Sequence, residues 1–229
     1  MKSGLGRLWF YLSQVYEQVP RVYDRGSNAI SLWQVRRWRM EVLKLPLRPG
    51  DLVLDAGSGK GAMSNLLRRF GVDTVMLDAS FNMLAQGTGD RVQGVFERLP
   101  FRKGVFDHVV MGFSLHASID YELTLNNLKG SIKSGGRIFI VSIGRPSSSV
   151  KYALCLAYFE FVVPILALLS TGKEFSLFLG LKTIYKNNPK NESVRHQLDG
   201  LFEAVEFREI ALGTVFKYVG VVPVSSSQR

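Results

Sequence analysis

Short apolar runs alternate along the chain with segments whose apolar residues recur every three or four positions. The runs predict buried β-strands and the periodic segments predict helices, so the pattern favours a parallel sheet with right-handed crossovers. Further strand patterns at residues 204–211 and 214–222 flank Gly213 and predict a terminal antiparallel hairpin. We predict one α/β domain over residues 1–229. The runs before the hairpin occupy residues 52–54, 74–77, 91–96, 105–111 and 137–143.

The first 48 residues lie outside this alternation. Helical spacing of apolar positions predicts helices over residues 5–19 and 30–43, with a turn at residues 26–28 between them. The sequence shows no boundary of a second domain between these helices and the first strand. We therefore predict that residues 1–48 are a helical extension of the same domain.

A second region, residues 150–170, is almost entirely apolar. About 20 apolar residues can span a bilayer, but Glu160 and Pro164 interrupt this run, and it lies inside an α/β unit. We expect a buried helical insertion over residues 147–189 that covers an apolar pocket, rather than a transmembrane helix.

Charge and cysteine content narrow the choice of partner and of cellular compartment. The formal net charge is +10, and in the extension Arg36 and Arg37 lie beside Trp33 and Trp38. Such a surface suits an anionic membrane or RNA, and equally a solvated helix face over core tryptophans. The single cysteine excludes an internal disulfide framework, and no secretory signal pattern is present. We expect a cytoplasmic protein with peripheral contact to the membrane.

Residues 51–64, DLVLDAGSGKGAMS, carry the most specific pattern. A buried strand ends in Asp55, three glycines follow at alternate positions, and an apolar helical pattern comes next. Glycines are needed where a loop turns sharply and a ligand lies against its backbone, and the following helix N-terminus favours an anionic group. The next strand ends in Asp78, where a carboxylate can hold ribose hydroxyls. The phosphate-loop pattern G-x-x-x-x-G-K-[ST] is lacking, which argues against an NTPase.

This unit resembles the opening of the class I S-adenosylmethionine-dependent methyltransferases. The resemblance implies a Rossmann-like, seven-stranded, mostly parallel sheet with helices on both faces, and S-adenosylmethionine as cofactor. The first loop would hold the methionine part of the cofactor, and the second carboxylate its ribose. The predicted cofactor-binding residues are Tyr23, Asp55, Ala56, Gly57, Ser58, Gly59, Lys60, Gly61, Asp78, Ala79, Met83, Val95, Phe96, Glu97, Gly112 and Phe113.

Longer stretches resemble one group within this class, the C-methyltransferases of ubiquinone and menaquinone biosynthesis. The resemblance lies in residues 19–24 (VPRVYD), in residues 97–101 (ERLPF) and in the apolar insertion. Three differences stand out. Lys60 replaces a threonine, Val95-Phe96 replaces a polar pair that meets the adenine, and His116 replaces an arginine.

Methylation of a quinol carbon needs removal of a phenolic proton, which raises the electron density of the ring. His116 is the predicted base because its unperturbed pKa lies near neutrality, a structural histidine being the alternative. Asp120 and Arg145 follow the C-terminal ends of strands, where open sheets bind ligands, and are predicted to orient the acceptor or stabilise charge. No metal site is predicted, because the histidines and the cysteine are not spaced as ligands.

The sequence thus predicts an S-adenosylmethionine-dependent methyltransferase that acts on an apolar, quinol-like small molecule at the membrane. Methylation of RNA or of another small molecule is an alternative, as is a non-catalytic scaffold that keeps the cofactor site. Nucleic acid is the less favoured partner, and a homo-oligomer stays open.

Overall fold

A computed structural model describes residues 22–224, except for the side chain of residue 43. The helix predicted over residues 5–19 lies outside this part of the chain. The strands are β1 (Leu52–Ala56), β2 (Asp73–Asp78), β3 (Asp90–Gln93), β4 (Phe106–Gly112), β5 (Ile132–Ile143), β6 (Glu203–Ile210) and β7 (Val215–Val221).

These strands form one sheet in the order β3-β2-β1-β4-β5-β7-β6. The pairs among β1 to β5 are parallel, and β7 runs antiparallel to both β5 and β6. The chain therefore winds outward from β1 to β3 and then returns to place β4 on the other side of β1. Ligands bind beside such a reversal, at the C-terminal ends of the strands.

Helices cover both faces of the sheet, as predicted. Alternate residues of β4 enter different cores, with Val109 and Met111 in one and Val110 in the other. The helices Tyr121–Ser131 and Asn191–Asp199 pack on the first core, and the helix Ala62–Leu67 packs on the second. The helices are α1 (Tyr23–Ile30), α2 (Val35–Met40), α3 (Ala62–Leu67), α4 (Phe81–Leu84), α5 (Tyr121–Ser131), α6 (Ser149–Ala157), α7 (Val163–Thr171), α8 (Gly180–Asn187) and α9 (Asn191–Asp199).

The N-terminal extension differs from the prediction. The turn expected at residues 26–28 lies inside α1, and the chain breaks instead at Leu32 and Trp33, whose φ values are 51° and 59°. Gly26 lies within this helix, and the ring of Phe178 packs against it so closely that a Cβ there would lie 2.1 Å from the ring. The glycine is therefore needed for packing rather than for a turn.

Two strand boundaries also differ. β3 ends at Gln93, so residues 94–96 leave the sheet and turn toward the ends of β1 and β2. The strand predicted over residues 137–143 begins earlier, since β5 starts at Ile132 and residues 133–136 form an irregularity within it. Gly136 permits this close passage, since a Cβ on it would lie 2.4 Å from the carbonyl oxygen of Asp107.

The insertion is one long helical stretch, Ser149–Phe178, in which a π-helical turn (Tyr158–Val162) joins α6 to α7. It is 30 residues long with a hydropathy of 2.1, which is long and apolar enough to cross a membrane by length and composition. The expectation that it is buried is wrong, because only 17% of its most apolar window is buried. One side packs on the protein, and the other is exposed.

Candidate active site

A cleft lies at the C-terminal ends of β1, β2 and β4. The structure places most of the predicted cofactor residues on its walls. These are Tyr23, Gly57, Ser58, Gly59, Lys60, Asp78, Ala79, Met83, Val95, Phe96, Glu97, Gly112 and Phe113. We call this space the donor cleft.

The glycine loop forms the floor of the donor cleft. Gly57 has a φ of 73°, and a Cβ on it would lie 2.2 Å from the Cβ of Ser114. A side chain at this position is excluded by conformation and by packing alike. The loop therefore presents its backbone to the cleft, as the sequence predicts.

Asp78 is held rigidly at the end of β2. One carboxylate oxygen accepts a hydrogen bond from the amide of Gly59 (2.8 Å), and the other from the amide of Ser80 (2.9 Å). A carboxylate at this place is an acceptor of the kind that holds the hydroxyls of a ribose. The carboxylate, the glycine backbone and the apolar wall of Val95 and Phe96 together fit S-adenosylmethionine.

Asp55, Ala56 and Gly61 do not line the cleft but lie behind its floor. The Oδ2 of Asp55 accepts hydrogen bonds from the amide (3.0 Å) and the hydroxyl (2.8 Å) of Ser64. Its buried Oδ1 has no hydrogen-bond partner among the described residues. Burial raises the pKa of this carboxyl to about 6. Asp55 thus ties the glycine loop to α3 and keeps one acceptor unused.

Helix α1 closes one side of the donor cleft. Asp24 on this helix forms an ion pair with Lys60 of the glycine loop, with 2.5 Å between carboxylate and ammonium. Tyr23 hydrogen-bonds Arg39, and burial raises the pKa of its phenol. The lysine that replaces a threonine in the resembled family therefore joins the extension to the cofactor loop.

A second, larger cavity lies beside the first. Its walls are largely apolar and come from α1, α2, the insertion, α8 and the segment before β7. The hydroxyl of Tyr158 donates to the carbonyl of Ile30 (2.8 Å), which joins the insertion to the end of α1. We call this space the acceptor cavity.

The two spaces meet at Tyr23, Arg39 and Phe113, which line both of them. Phe113 follows β4 with a φ of 65°, a left-handed conformation that is strained for an aromatic residue. The guanidinium of Arg39 lies 5.6 Å from the centre of its ring. A strained residue thus stands where a group could pass from one space to the other.

Comparison with known proteins identifies the chain. The model of the ubiE/COQ5 methyltransferase family matches residues 10–222. The chain belongs to this family. The predicted activity and cofactor are thereby confirmed: the protein is an S-adenosylmethionine-dependent methyltransferase.

Similar proteins agree with the family assignment. A demethylmenaquinone methyltransferase of Staphylococcus aureus (strain JH9) is 29% identical over 222 residues, which cover 90% of this chain and 91% of that one. A chain from the complex of the Haloferax volcanii Trm112 methyltransferase activator shares the fold at a TM-score of 0.66 and 17% identity, covering 91% of this chain and 97% of that one. A methyltransferase structure from Thermotoga maritima, titled SAM-dependent, has a TM-score of 0.63 and 16% identity, with 92% and 99% covered.

His116 lines the acceptor cavity of this methyltransferase and is almost fully buried. Its Nδ1 lies 3.5 Å from the hydroxyl of Ser142. Burial lowers the pKa of the imidazole to about 4, because the charged form loses its hydration. His116 is therefore neutral at physiological pH.

The other two predicted catalytic residues lie elsewhere. Asp120 is exposed and caps α5, where it accepts a hydrogen bond from the amide of Leu123 (3.0 Å). Arg145 donates to the carbonyl of Lys186 (3.1 Å), and its guanidinium lies 4.7 Å from the ring centre of Tyr152. Neither residue is among those that line the two spaces. The position of Asp120 fits a helix cap, and that of Arg145 fits a contact that links the end of β5 to the insertion.

Sequence reasoning also missed residues of the donor cleft. Arg39 belongs to no sequence pattern that indicates a site, and only the tertiary fold brings it beside β4. Ser80 could have been found, because its role as a helix N-cap was visible in the sequence. The lining residues outside the prediction are Asp24, Arg39, Ala62, Met63, Ser80, Gly94, Ser114 and Ala117.

Within residues 22–224, no group of three or more His, Cys, Asp or Glu side chains could hold a metal ion.

Proposed function

We propose that the enzyme methylates a ring carbon of an apolar, quinol-like small molecule held in the acceptor cavity. The observation that carries the proposal is the junction of this apolar cavity with the donor cleft at Tyr23, Arg39 and Phe113. The demethylmenaquinone methyltransferase relative supports an acceptor of this class.

In the donor cleft, Asp78 would hold the ribose hydroxyls, and the amides of the glycine loop would hold the methionine part. Val95 and Phe96 offer apolar contact to the adenine in place of a side-chain hydrogen bond. When bound, S-adenosylmethionine supplies a methyl group on a positively charged sulfur. The protein's task is to hold the acceptor carbon at attack distance in a space without water.

Of the polar residues that line the acceptor cavity, Arg39 and His116 are the ones proposed to act on a ring hydroxyl. The Nε of Arg39 is buried and makes no hydrogen bond to any described residue, so it can donate to the acceptor's oxygen. Its positive charge lowers the pKa of that hydroxyl and favours the phenolate, which is the reactive form. Neutral His116 can accept the proton, but burial makes it a weak base, so the transfer depends on the lower hydroxyl pKa that Arg39 provides.

The cavity's lining argues against RNA as the acceptor. An RNA site needs several basic groups along a groove, whereas Arg39 is the sole Lys or Arg among the described residues that line this cavity.

The test is transfer of labelled methyl from S-adenosylmethionine into a demethylated, short-tailed naphthoquinol, with identification of the product. We expect label on a ring carbon, and we expect little label on a polar catechol of equal reactivity. Label on RNA alone, or no transfer despite calorimetric binding of the donor, would contradict the proposal. The second result would favour the scaffold alternative.

A further inference from the structure

The outward side of the insertion helix is apolar. Buried residues recur every four or eight positions on the inward side, at Cys155, Val163, Ala167 and Thr171. A surface helix normally carries polar residues on the opposite side. Here six exposed positions of that side are again large and apolar. They are Val150, Leu154, Phe161, Ile165, Leu168 and Leu169.

The loop between α1 and α2 extends this surface. Leu32 and Trp33 are 53% and 68% exposed, although both are large and apolar. Both also have left-handed backbone conformations, which are unfavourable for such residues. The loop adjoins the insertion, since Tyr158 of the π-helical turn donates to the carbonyl of Ile30. The fold thus holds two apolar side chains outward at a conformational cost.

The acceptor cavity opens on the same surface. Leu32, Leu154 and Leu212 all line the cavity, and each is more than half exposed. Side chains that face the cavity and solvent together form its rim. The rim includes Leu154 of the insertion and Leu32 of the loop, so the entrance is continuous with the exposed apolar surface.

The insertion lies along the protein rather than projecting from it. Val163, Ala167 and Thr171 are buried, and Ala167 packs in a cluster with Phe178. Glu160 forms an ion pair with Lys182 of α8. These contacts hold the inward side against the protein, so that only the outward side can meet a bilayer.

Positive charge accompanies this surface. Arg36 and Arg37 follow the exposed loop, and Lys151 and Lys173 lie within the insertion, all four being exposed. The exposed acidic residues of the insertion are Glu160, which pairs with Lys182, and Glu174, and the whole chain carries a formal charge of +10. Basic residues beside exposed apolar ones complement an anionic lipid surface.

We propose that this apolar surface binds an anionic bilayer. We call it the membrane-binding face, and it consists of residues 32–33, residue 212 and the outward side of Ser149–Phe178. The methyl acceptor then enters the cavity through the rim directly from the lipid phase, without crossing water. The class of acceptor rests on the proposed function, whereas the lipid contact rests on the surface alone.

The first test is co-sedimentation of the full-length protein with vesicles of phosphatidylglycerol and phosphatidylcholine, compared with phosphatidylcholine alone. We expect binding that is stronger to the anionic vesicles and weaker at high salt. Phe161→Glu and Leu169→Glu should each reduce binding about tenfold or more, because a charge must be moved into the lipid interface. The matched control is Val205→Glu on β6, whose side chain is 57% exposed and lies outside this face.

Absence of vesicle binding by the wild-type protein would overturn the proposal. So would equal binding by the two face variants and the wild type. If the face instead joins two copies, sedimentation would show a dimer that Leu169→Glu dissociates, with no lipid binding, and the proposal would fail.

The second test separates the lipid contact from the chemistry. Leu169→Glu should lower methylation of a long-tailed acceptor in vesicles about tenfold, while leaving methylation of a short-tailed soluble acceptor unchanged. Equal losses on both acceptors would overturn delivery from the bilayer. Vesicle binding without methylation of either acceptor would support the membrane-binding face and contradict the proposed function.

Discussion

The donor cleft and the acceptor cavity are built in different ways. The donor cleft has its floor in one glycine loop and its walls largely in the ends of adjacent parallel strands. The acceptor cavity is assembled from segments far apart in the sequence, which include Tyr23, Tyr158, Leu181 and Leu212. The first presents backbone amides and a carboxylate, and the second presents apolar side chains. The donor cleft therefore recognises one fixed cofactor. The acceptor cavity can take a different acceptor when the segments that line it change.

This difference predicts that substitutions on the two sides have separable effects. Changes in the acceptor cavity should alter turnover or the acceptor KM without altering donor affinity. Changes in the donor cleft should alter donor affinity without altering the acceptor KM at saturating donor. The predictions below test that separation, from the largest expected effect to the smallest.

His116→Gln should lower kcat about 10²-fold or more, because the group that accepts the acceptor's proton is lost. The affinity for S-adenosylmethionine, measured by calorimetry, should not change. Near-wild-type kcat would assign His116 a structural role alone. A parallel loss of donor affinity would mean that the two sites are not separate.

Asp78→Ala should weaken S-adenosylmethionine binding by about 1–3 kcal/mol, since the ribose and the amides of Gly59 and Ser80 lose their acceptor. The acceptor KM at saturating donor should stay close to the wild-type value. The control is Asp73→Ala, at the exposed opposite end of β2, which should leave donor affinity unchanged. Unchanged affinity in Asp78→Ala would place the ribose elsewhere.

Gly26→Ala should raise the acceptor KM and destabilise the protein by about 1–3 kcal/mol, because the added Cβ collides with Phe178 on the cavity wall. Donor affinity should change little. Gly130→Ala in α5 is the control, since a Cβ there meets nothing within 4 Å. Thermal unfolding measures the loss of stability, and steady-state kinetics measure the acceptor KM. A stable Gly26→Ala variant with normal KM would show that α1 does not shape the cavity.

The smallest effect is expected in the pH dependence of wild-type stability, because two buried groups oppose each other. The lowered pKa of His116 removes stability as pH falls from about 6.5 to about 4, since the unfolded chain binds the proton first. The raised pKa of Asp55 adds stability as pH falls from about 6 to 3.8. In thermal unfolding between pH 6.5 and 4, Asp55→Asn should therefore lose stability more steeply than the wild type, and His116→Gln less steeply. Parallel curves for all three proteins would contradict these shifts.

The same contrast explains what the sequence could predict. Asp78 was predictable because a carboxylate ending the second strand lies at a fixed place in this sheet, and Gly57 because its loop follows the first strand. Arg39 was not, since its position depends on how α2 packs beside β4. The break at Leu32 and Trp33 was also hidden, because strain is not visible in local preference. The apolar run of the insertion is visible in the sequence. Its exposure could not be predicted, because it depends on which side of the helix packs against the rest of the protein.

We expect the donor's methyl group to lie at the junction of the donor cleft and the acceptor cavity. The most direct measurement is a crystal structure with S-adenosylmethionine bound. The ribose should contact Asp78, and the sulfonium methyl should face the acceptor cavity between Tyr23, Arg39 and Phe113. A donor whose methyl faces away from that cavity, or a donor bound outside the cleft at β1 and β2, would contradict the account.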